Sequence, residues 1–324
     1  KHGLKVIMCT PSPTPPVWLS KKYPDILIRR DNGVNIQHGR RQHASWSSER
    51  YCDFVKNIVT TLAKRYGNNP TVIGWQIDNE PGHYGVVDYS ENAQKHFRIW
   101  LNRKYKTIKQ LNTIWGNAFW SESYQNFDQI RLPNQQELPE KPNPHAMLDM
   151  NRFMADELAG FVNMQADVLR KNISKSQWIT TNLIPIFNPV DPVRMDHLDF
   201  TTYTRYLVTG HKTGIGEQGF RLGTPEDIGF PNDQFRNFVG KTYGVMELQP
   251  GQVNWGIYNP QPMPGAIRMW VYHVFAGGGR FVCNYRFRQP LKGSEQYHYG
   301  MIMTDGVTLS PGGEEYRQVA KEME

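Results

Sequence analysis

Cysteine is scarce in this sequence of 324 residues, and apolar runs long enough to cross a membrane are missing from it. The three cysteines, Cys9, Cys52 and Cys283, are too few and too dispersed for a disulfide framework, and no CxxC pair indicates structural zinc. Cys9 and Cys283 lie in strand-like apolar runs, where we expect buried thiols. The composition therefore favours a reducing compartment and excludes a disulfide-rich scaffold.

Concentrated positive charge is also lacking. Lys and Arg number 37 against 30 Asp and Glu, a net charge of +7, but the basic residues form only short clusters such as Arg40-Arg41. Because nucleic-acid binding needs a basic patch or stripe, we expect no nucleic-acid partner, and we expect no membrane partner either. Aromatic residues are plentiful at 12%, with nine Trp and sixteen Tyr, and such rings pack on sugar C–H faces as well as in a core.

Strand and helix patterns alternate along the chain, which is typical of an α/β fold with a parallel sheet and crossover helices. Strands are predicted over 5–10, 71–79, 178–182, 200–203, 243–248 and 280–285. Helices are predicted over 48–66, 92–105, 107–115, 150–172, 265–276 and 314–323, with a loop over 209–231. This succession predicts a (β/α)8 TIM barrel, although only six of its eight strands are present.

We expect the first two β/α units to precede residue 1, because the final predicted helix already ends the chain. Residues 1–324 are then one catalytic barrel domain that is N-terminally incomplete. Any leader peptide would lie in the upstream part. The cytoplasm is favoured by the free thiols, and a periplasmic or secreted location stays open.

Two glutamates carry the chemistry that the sequence suggests. Glu80 lies in GWQIDNEP and Glu247 in YGVMELQPG, so each ends a short apolar run and is followed by proline. Counting back from the last strand places them at the ends of barrel strands four and seven, where we expect them to face each other across the mouth. Hydrolysis of an acetal needs a proton donor and a nucleophile, and a carboxyl separation of roughly 5 to 5.5 Å indicates retention. The alternatives are a solvated loop residue for Glu80 and a capped strand end for Glu247.

Four sequence segments together indicate one protein family. TPSPTPPVWL begins at Thr10, GWQIDNE ends at Glu80, MELQPGQVNW begins at Met246, and EQYH begins at Glu295. In their order and spacing they resemble glycoside hydrolase family 42, the β-galactosidases. The resemblance covers nearly the whole chain and implies a retaining, exo-acting β-galactosidase on a TIM barrel, with no cofactor.

The resemblance also implies a role for each matched residue. Glu80 is similar to the family's general acid/base, and Glu247 is similar to its nucleophile. Asn79 matches the neighbour that binds the sugar 2-hydroxyl, Trp255 matches the aromatic wall of the galactose subsite, and Glu295 with His298 matches the pair that binds sugar hydroxyls. Trp255 and His298 are alternatively plain core residues.

The chain also departs from the family pattern. Some relatives carry a cysteine cluster that binds zinc, but the position that we align with its first cysteine is Ser45, so we expect no metal. The strand-six segment 201–206 also differs, and its Arg205 could meet a substituted or longer glycan or be a surface arginine.

The sequence leaves alternatives open for the oligomeric state and for the function. Family members are commonly homotrimers, and we expect a trimer at full length, although the trimerisation and C-terminal β domains are not present in this chain. The alternatives in function are a retaining clan member acting on galactan-derived, agar-derived or β-mannan oligosaccharides, or a noncatalytic carbohydrate-binding barrel.

Overall fold

The structure is a computed structural model that describes residues 2–83, 85–138, 140–186, 189–211 and 216–324. The chain divides into two compact units. The first unit comprises Lys1–Ile179 and Ile186–Leu198, and the second comprises Thr180–Pro185 and Asp199–Glu324.

The first unit contains two parallel strands, β1 (Val6–Cys9) and β2 (Val72–Ile77), joined through helices α1 (Val17–Lys22) and α2 (Glu49–Tyr66). Helix α2 begins after Ser48, whose side chain accepts a hydrogen bond from the Tyr51 N–H group, and it ends at Gly67. Its buried residues recur every four positions, as a helix with one apolar face requires.

Three further helices complete the first unit: α3 (Glu91–Tyr105), α4 (Ile108–Trp115) and α5 (Pro144–Arg170). Their apolar faces form one cluster, whose buried aromatic members are Phe97, Tyr105, Trp115 and Phe153. Buried aromatic rings of this size supply much of the stabilisation of a core, at about 25 cal/mol for each square ångström of apolar surface buried.

The second unit is built on parallel strands that follow one another in chain order. Strand β3 (Trp178–Leu183) enters it at Thr180, and β4 (Thr201–Arg205), β5 (Tyr243–Leu248) and β6 (Val282–Asn284) pair in sequence. The helices are α6 (Gly216–Leu222), α7 (Glu226–Asn237), α8 (Ala266–Ala276) and α9 (Pro311–Met323). Tyr203, Phe235 and Tyr243 are buried together in its core.

The predicted alternation is confirmed within the described ranges, because six strands and the six predicted helices occur close to their expected positions. The loop prediction over 209–231 is wrong where the structure describes it, since α6 and α7 occupy much of that segment. Thr224 explains the start of α7: its N–H and hydroxyl groups both donate to the Asp227 carboxylate. No helix in the described part of the chain is long and apolar enough to cross a membrane.

The prediction of buried thiols is also wrong. Cys9 is exposed and Cys283 is half-buried. Strand β1 pairs with β2 and, among the described strands, with no other, so its residues are only partly covered. An apolar strand pattern predicts burial only where the strand has neighbours on both sides.

Candidate active site

Glu80 lies in a strained turn that follows β2. The strand ends at Ile77, and both Asp78 and Glu80 have positive φ angles, 56° and 49°. A left-handed backbone costs a residue other than glycine on the order of 1–2 kcal/mol, so two of them within three residues require support from their surroundings.

Two glutamine side chains support this turn. The Gln42 amide group donates to the carbonyl oxygens of Asn79 at 2.8 Å and Glu80 at 2.6 Å. The Gln76 amide group donates to the carbonyl oxygen of Asp78 at 2.9 Å and to the side-chain oxygen of Asn79 at 3.1 Å. The contact with Gln76 fixes the orientation of the Asn79 side-chain amide, with its Oδ1 atom toward Gln76.

The Glu80 carboxyl group is buried, with 2% of the residue exposed. Its Oε2 atom lies 2.6 Å from a guanidinium nitrogen of Arg41, which is the residue before Gln42 in the chain. A buried carboxylate needs such a charge-assisted partner, since an uncompensated charge in the protein interior is strongly unfavourable. The loop that carries Arg41 and Gln42 therefore fixes both the backbone and the side chain of Glu80.

Glu247 lies in β5, beside Thr204 of β4. Its Oε2 atom accepts a hydrogen bond from the Tyr206 hydroxyl at 2.7 Å, and its Oε1 atom accepts one from the Asn182 amide at 3.2 Å. The Thr204 hydroxyl donates to the Asn182 Oδ1 atom at 2.9 Å, which orients the amide toward Glu247. Two neutral donors thus hold both carboxylate oxygens in a fixed direction.

Tyr206 also brings other predicted residues together. Its ring lies edge-on to Trp255, with 5.1 Å between centroids, and edge-on to His298, at 5.8 Å. Trp255 is 48% exposed, so it is not a plain core residue and part of its ring surface is open. Glu247, Trp255 and His298 therefore surround one tyrosine in the second unit.

Glu295 and His298 are linked by a turn, as their spacing predicts, because the His298 N–H group donates to the Glu295 carbonyl oxygen at 2.9 Å. The Glu295 carboxylate accepts a hydrogen bond from the Tyr285 hydroxyl at 2.6 Å and lies 3.3 Å from Arg286. Burial and this hydrogen bond raise the pKa of the Tyr285 phenol, which stays a neutral donor.

His298 is fully buried and neutral. Its Nδ1 atom lies 3.1 Å from the Tyr299 carbonyl oxygen and must carry the proton there, while burial lowers the pKa of the imidazole. The Nε2 atom is buried and, among the described residues, has no hydrogen-bond partner. An acceptor left in this state is suited to a ligand hydroxyl.

The predicted residues thus fall into two groups, Asn79 with Glu80 in the first unit, and Glu247, Trp255, Glu295 and His298 in the second. The sequence did not indicate the residues that hold them: Arg41, Gln42, Asn182, Tyr206 and Tyr285. Asn182 and Tyr206 had a usable signal, since each follows or ends a strand where parallel sheets carry their sites. Arg205 forms an ion pair with Asp227 of α7.

No group of three or more His, Cys, Asp or Glu residues in the described ranges is arranged to hold a metal ion. The absence of a metal stays a prediction. Ser45, which we aligned with a zinc-binding cysteine, is buried, and its hydroxyl group opposes the rise that burial causes in the pKa of the buried Asp88 carboxyl group.

Comparison with known proteins identifies similar chains. The model of glycoside hydrolase family 42, described as beta-galactosidase, matches residues 1–324. A beta-galactosidase from a Thermus species is 37% identical over 329 residues, which covers 99% of this chain and 50% of that protein. A beta-galactosidase from Halorubrum lacusprofundi is 35% identical over 94% of this chain and 44% of its own.

Solved structures agree with these sequences. The crystal structure of a beta-galactosidase from the psychrophilic Marinomonas ef1 has a TM-score of 0.94 at 35% identity, and it covers 99% of this chain and 50% of that one. The beta-galactosidase structure from Halorubrum lacusprofundi has the same TM-score at 34% identity, over 99% of this chain and 48% of that one. This chain spans about half the length of the curated relatives that it matches.

Proposed function

The chain belongs to glycoside hydrolase family 42, and from this premise we propose that the whole protein is a retaining, exo-acting β-galactosidase that needs no cofactor. The observation that carries the proposal is the environment of Glu247. Its two carboxylate oxygens accept hydrogen bonds from neutral donors, Tyr206 and Asn182, which hold the carboxylate in a fixed direction.

In the first step Glu247 attacks the anomeric carbon of the terminal sugar while Glu80 donates its proton to the departing glycosidic oxygen. The carbon–oxygen bond to the leaving group breaks, and an ester bond between Glu247 and the sugar forms. The Glu80 proton leaves with the aglycone, and Glu80 becomes a carboxylate.

In the second step Glu80 accepts a proton from water, which attacks the same carbon and releases Glu247 as a carboxylate. Two displacements on one carbon retain its configuration. Arg41, whose guanidinium group lies 2.6 Å from Glu80 Oε2, holds the direction of the Glu80 side chain.

Four further residues are proposed to bind the galactosyl group. Asn79 offers its Nδ2 donors to the 2-hydroxyl, and His298 offers its buried Nε2 atom to a hydroxyl proton. Glu295 accepts from sugar hydroxyls, and the exposed part of the Trp255 ring packs against the apolar C–H face. Fixed polar atoms and an apolar ring surface each restrict the orientation of a bound sugar.

The full architecture is part of the proposal. We infer that residues 1–324 contribute six units of one (β/α)8 barrel domain, with the first two units supplied by another part of the protein, and that the complete protein is a homotrimer. The greater length of the relatives and the whole-chain likeness to their structures support the inference of further units, whereas the homotrimer rests on the family resemblance alone.

A panel of nitrophenyl glycosides tests the function. The full-length protein should hydrolyse the β-galactoside with a kcat/KM at least tenfold above the β-mannoside and β-glucoside. The Glu80→Gln/Glu247→Gln double variant serves as the inactive control for contaminating activity. Preference for the β-mannoside, or activity only on galactan or agar oligosaccharides, would contradict the assignment as a β-galactosidase and indicate another retaining glycosidase. No turnover of any glycoside would favour a carbohydrate-binding protein.

A further inference from the structure

We propose that Asp78 is a positioning residue whose buried carboxylate fixes the turn that presents Asn79 and Glu80 to the substrate. The inference rests on the proposed function, because it concerns the geometry of the acid/base. Asp78 touches neither substrate nor reacting atoms in this scheme, and it acts through the residues on its C-terminal side.

Three hydrogen bonds connect Asp78 to the segment that follows β1 and to the turn. The Ser12 hydroxyl donates to Asp78 Oδ2 at 2.6 Å, and the Asn79 N–H group donates to Asp78 Oδ1 at 2.8 Å. The N–H group of Asp78 donates to the Thr10 hydroxyl at 2.8 Å. These bonds hold a segment in which Asp78 and Glu80 both have left-handed backbones, so they offset strain that would otherwise straighten the turn.

A second layer holds the partners of Asp78. The Thr10 hydroxyl donates to Gln165 of α5 at 2.9 Å, and the Tyr51 hydroxyl of α2 donates to the Ser12 carbonyl oxygen. Thr10, Ser12, Tyr51 and Gln165 are all buried. The carboxylate therefore connects the Glu80 turn to two helices of the first unit, which is the support that a precisely held side chain needs.

The fold alone does not explain a charged residue at this position. Burial raises the pKa of Asp78 to about 6, while the hydrogen bonds from Ser12 and Asn79 and the charge of Arg41 oppose that rise. The other titratable group against it, Tyr51, is a neutral phenol, because burial raises its pKa well above the usual value. Ionisation of Asp78 is therefore less favourable in the native state than in the unfolded chain.

Asparagine could replace the carboxylate at less expense to stability. Its Oδ1 atom could accept from the Asn79 N–H group, and the Ser12 hydroxyl could rotate to accept from its Nδ2 group. A charged acceptor, however, forms shorter and stronger hydrogen bonds than an amide does. A position that keeps a destabilising charge beside a catalytic residue is typical of a functional requirement.

The experiment compares Asp78→Asn with wild type in the full-length protein. We expect kcat/KM for a β-galactoside with a poor leaving group to fall at least tenfold, because protonation by a misplaced Glu80 limits that reaction. A dinitrophenyl leaving group needs little protonation, so kcat/KM for the dinitrophenyl β-galactoside should fall less than threefold. The Tm of the variant should equal or exceed that of wild type at about pH 7.5.

The Tm of Asp78→Asn minus that of wild type should decrease as the pH is lowered toward about 5. The folded pKa of Asp78 lies above the unfolded value, so protonation as the pH falls through about 6 removes the destabilising charge from wild type and leaves the variant unchanged. Ser12→Ala is the second variant: it keeps the carboxylate, removes one donor, and should show a smaller loss with the same dependence on leaving group.

Asp149→Asn is the matched control, because Asp149 is also a buried aspartate of the first unit, with hydrogen bonds from Tyr105 and Trp115. Asp149→Asn should lower the Tm at about pH 7.5 and about pH 5, and it should leave kcat/KM unchanged for both the poor and the dinitrophenyl leaving group. If Asp78→Asn behaves like this control, or slows both leaving groups equally, Asp78 is a structural residue and the inference is overturned. If wild type hydrolyses the β-galactosides and Asp78→Asn does so equally well, only the role of Asp78 is refuted. If wild type itself is inactive, the proposed function is refuted together with the role of Asp78.

Discussion

Replacing Tyr206 by Phe removes one hydrogen bond from Glu247 and leaves the ring in contact with Trp255 and His298. In the proposed second step Glu247 departs from the sugar as a carboxylate, so negative charge would develop on the group that the Tyr206 hydroxyl contacts. A hydrogen bond to a charged group contributes about 1.5–3 kcal/mol. At about 1.4 kcal/mol for each factor of ten, deglycosylation should slow roughly 10- to 150-fold.

Stopped-flow hydrolysis of dinitrophenyl β-galactoside measures this directly. The first step is fast with this leaving group, so the slow second step should appear as a lower kcat preceded by a burst of phenolate equal to the enzyme concentration. Tyr272→Phe is the matched control, since its hydroxyl forms a similar bond of 2.8 Å with Glu322 at an exposed position in the same unit. That variant should keep the wild-type kcat.

A Tyr206→Phe variant whose kcat stays within threefold of wild type would refute the view that Tyr206 stabilises the departing carboxylate. A loss of the same size in Tyr272→Phe would show that the effect is one of general folding. A lower burst rate with an unchanged steady state would assign the hydrogen bond to the first step instead.

Three other outcomes test the remaining roles. Glu247→Ala should be inactive until azide is added, when α-galactosyl azide should form, and detection of the β-anomer or wild-type activity without azide would exclude Glu247 as the nucleophile. Glu80→Gln should slow poor leaving groups far more than activated ones, and equal slowing would argue against acid catalysis. Burial lowers the pKa of His298, so the stability of the wild type should fall as the pH drops below about 6.5. The Tm of His298→Gln minus that of wild type should therefore increase as the pH is lowered from about 7.5 to about 5. A Tm difference that stays constant over this range would contradict a buried neutral imidazole.

The strands and most helices could be predicted because their signals are local. Strand β5 has the predicted bounds, since a short apolar run and a following proline delimit it, and Ser48 caps the start of α2. Helices α6 and α7 were missed because glycines and a proline mask their periodicity, although Thr224 and Asp227 carried a capping signal.

The supporting residues of the site could not be found in the same way. Arg41 and Gln42 belong to a loop without periodicity, and only the folded chain brings them to Glu80. The left-handed backbone of Asp78 and Glu80 has no sequence signature, because residues other than glycine adopt it only where surrounding contacts hold it. Sequence could therefore suggest the candidate catalytic carboxylates, but not the residues that orient them.

The central claim is that Glu247 forms a covalent bond to a galactosyl group, and trapping that intermediate tests it most directly. The full-length protein should be incubated with an activated 2-deoxy-2-fluoro-β-galactoside, digested and analysed by mass spectrometry. We predict one added fluorogalactosyl group per chain, on the peptide that contains Glu247. Labelling of a different carboxylate, or full turnover with inverted configuration and no adduct, would contradict the claim.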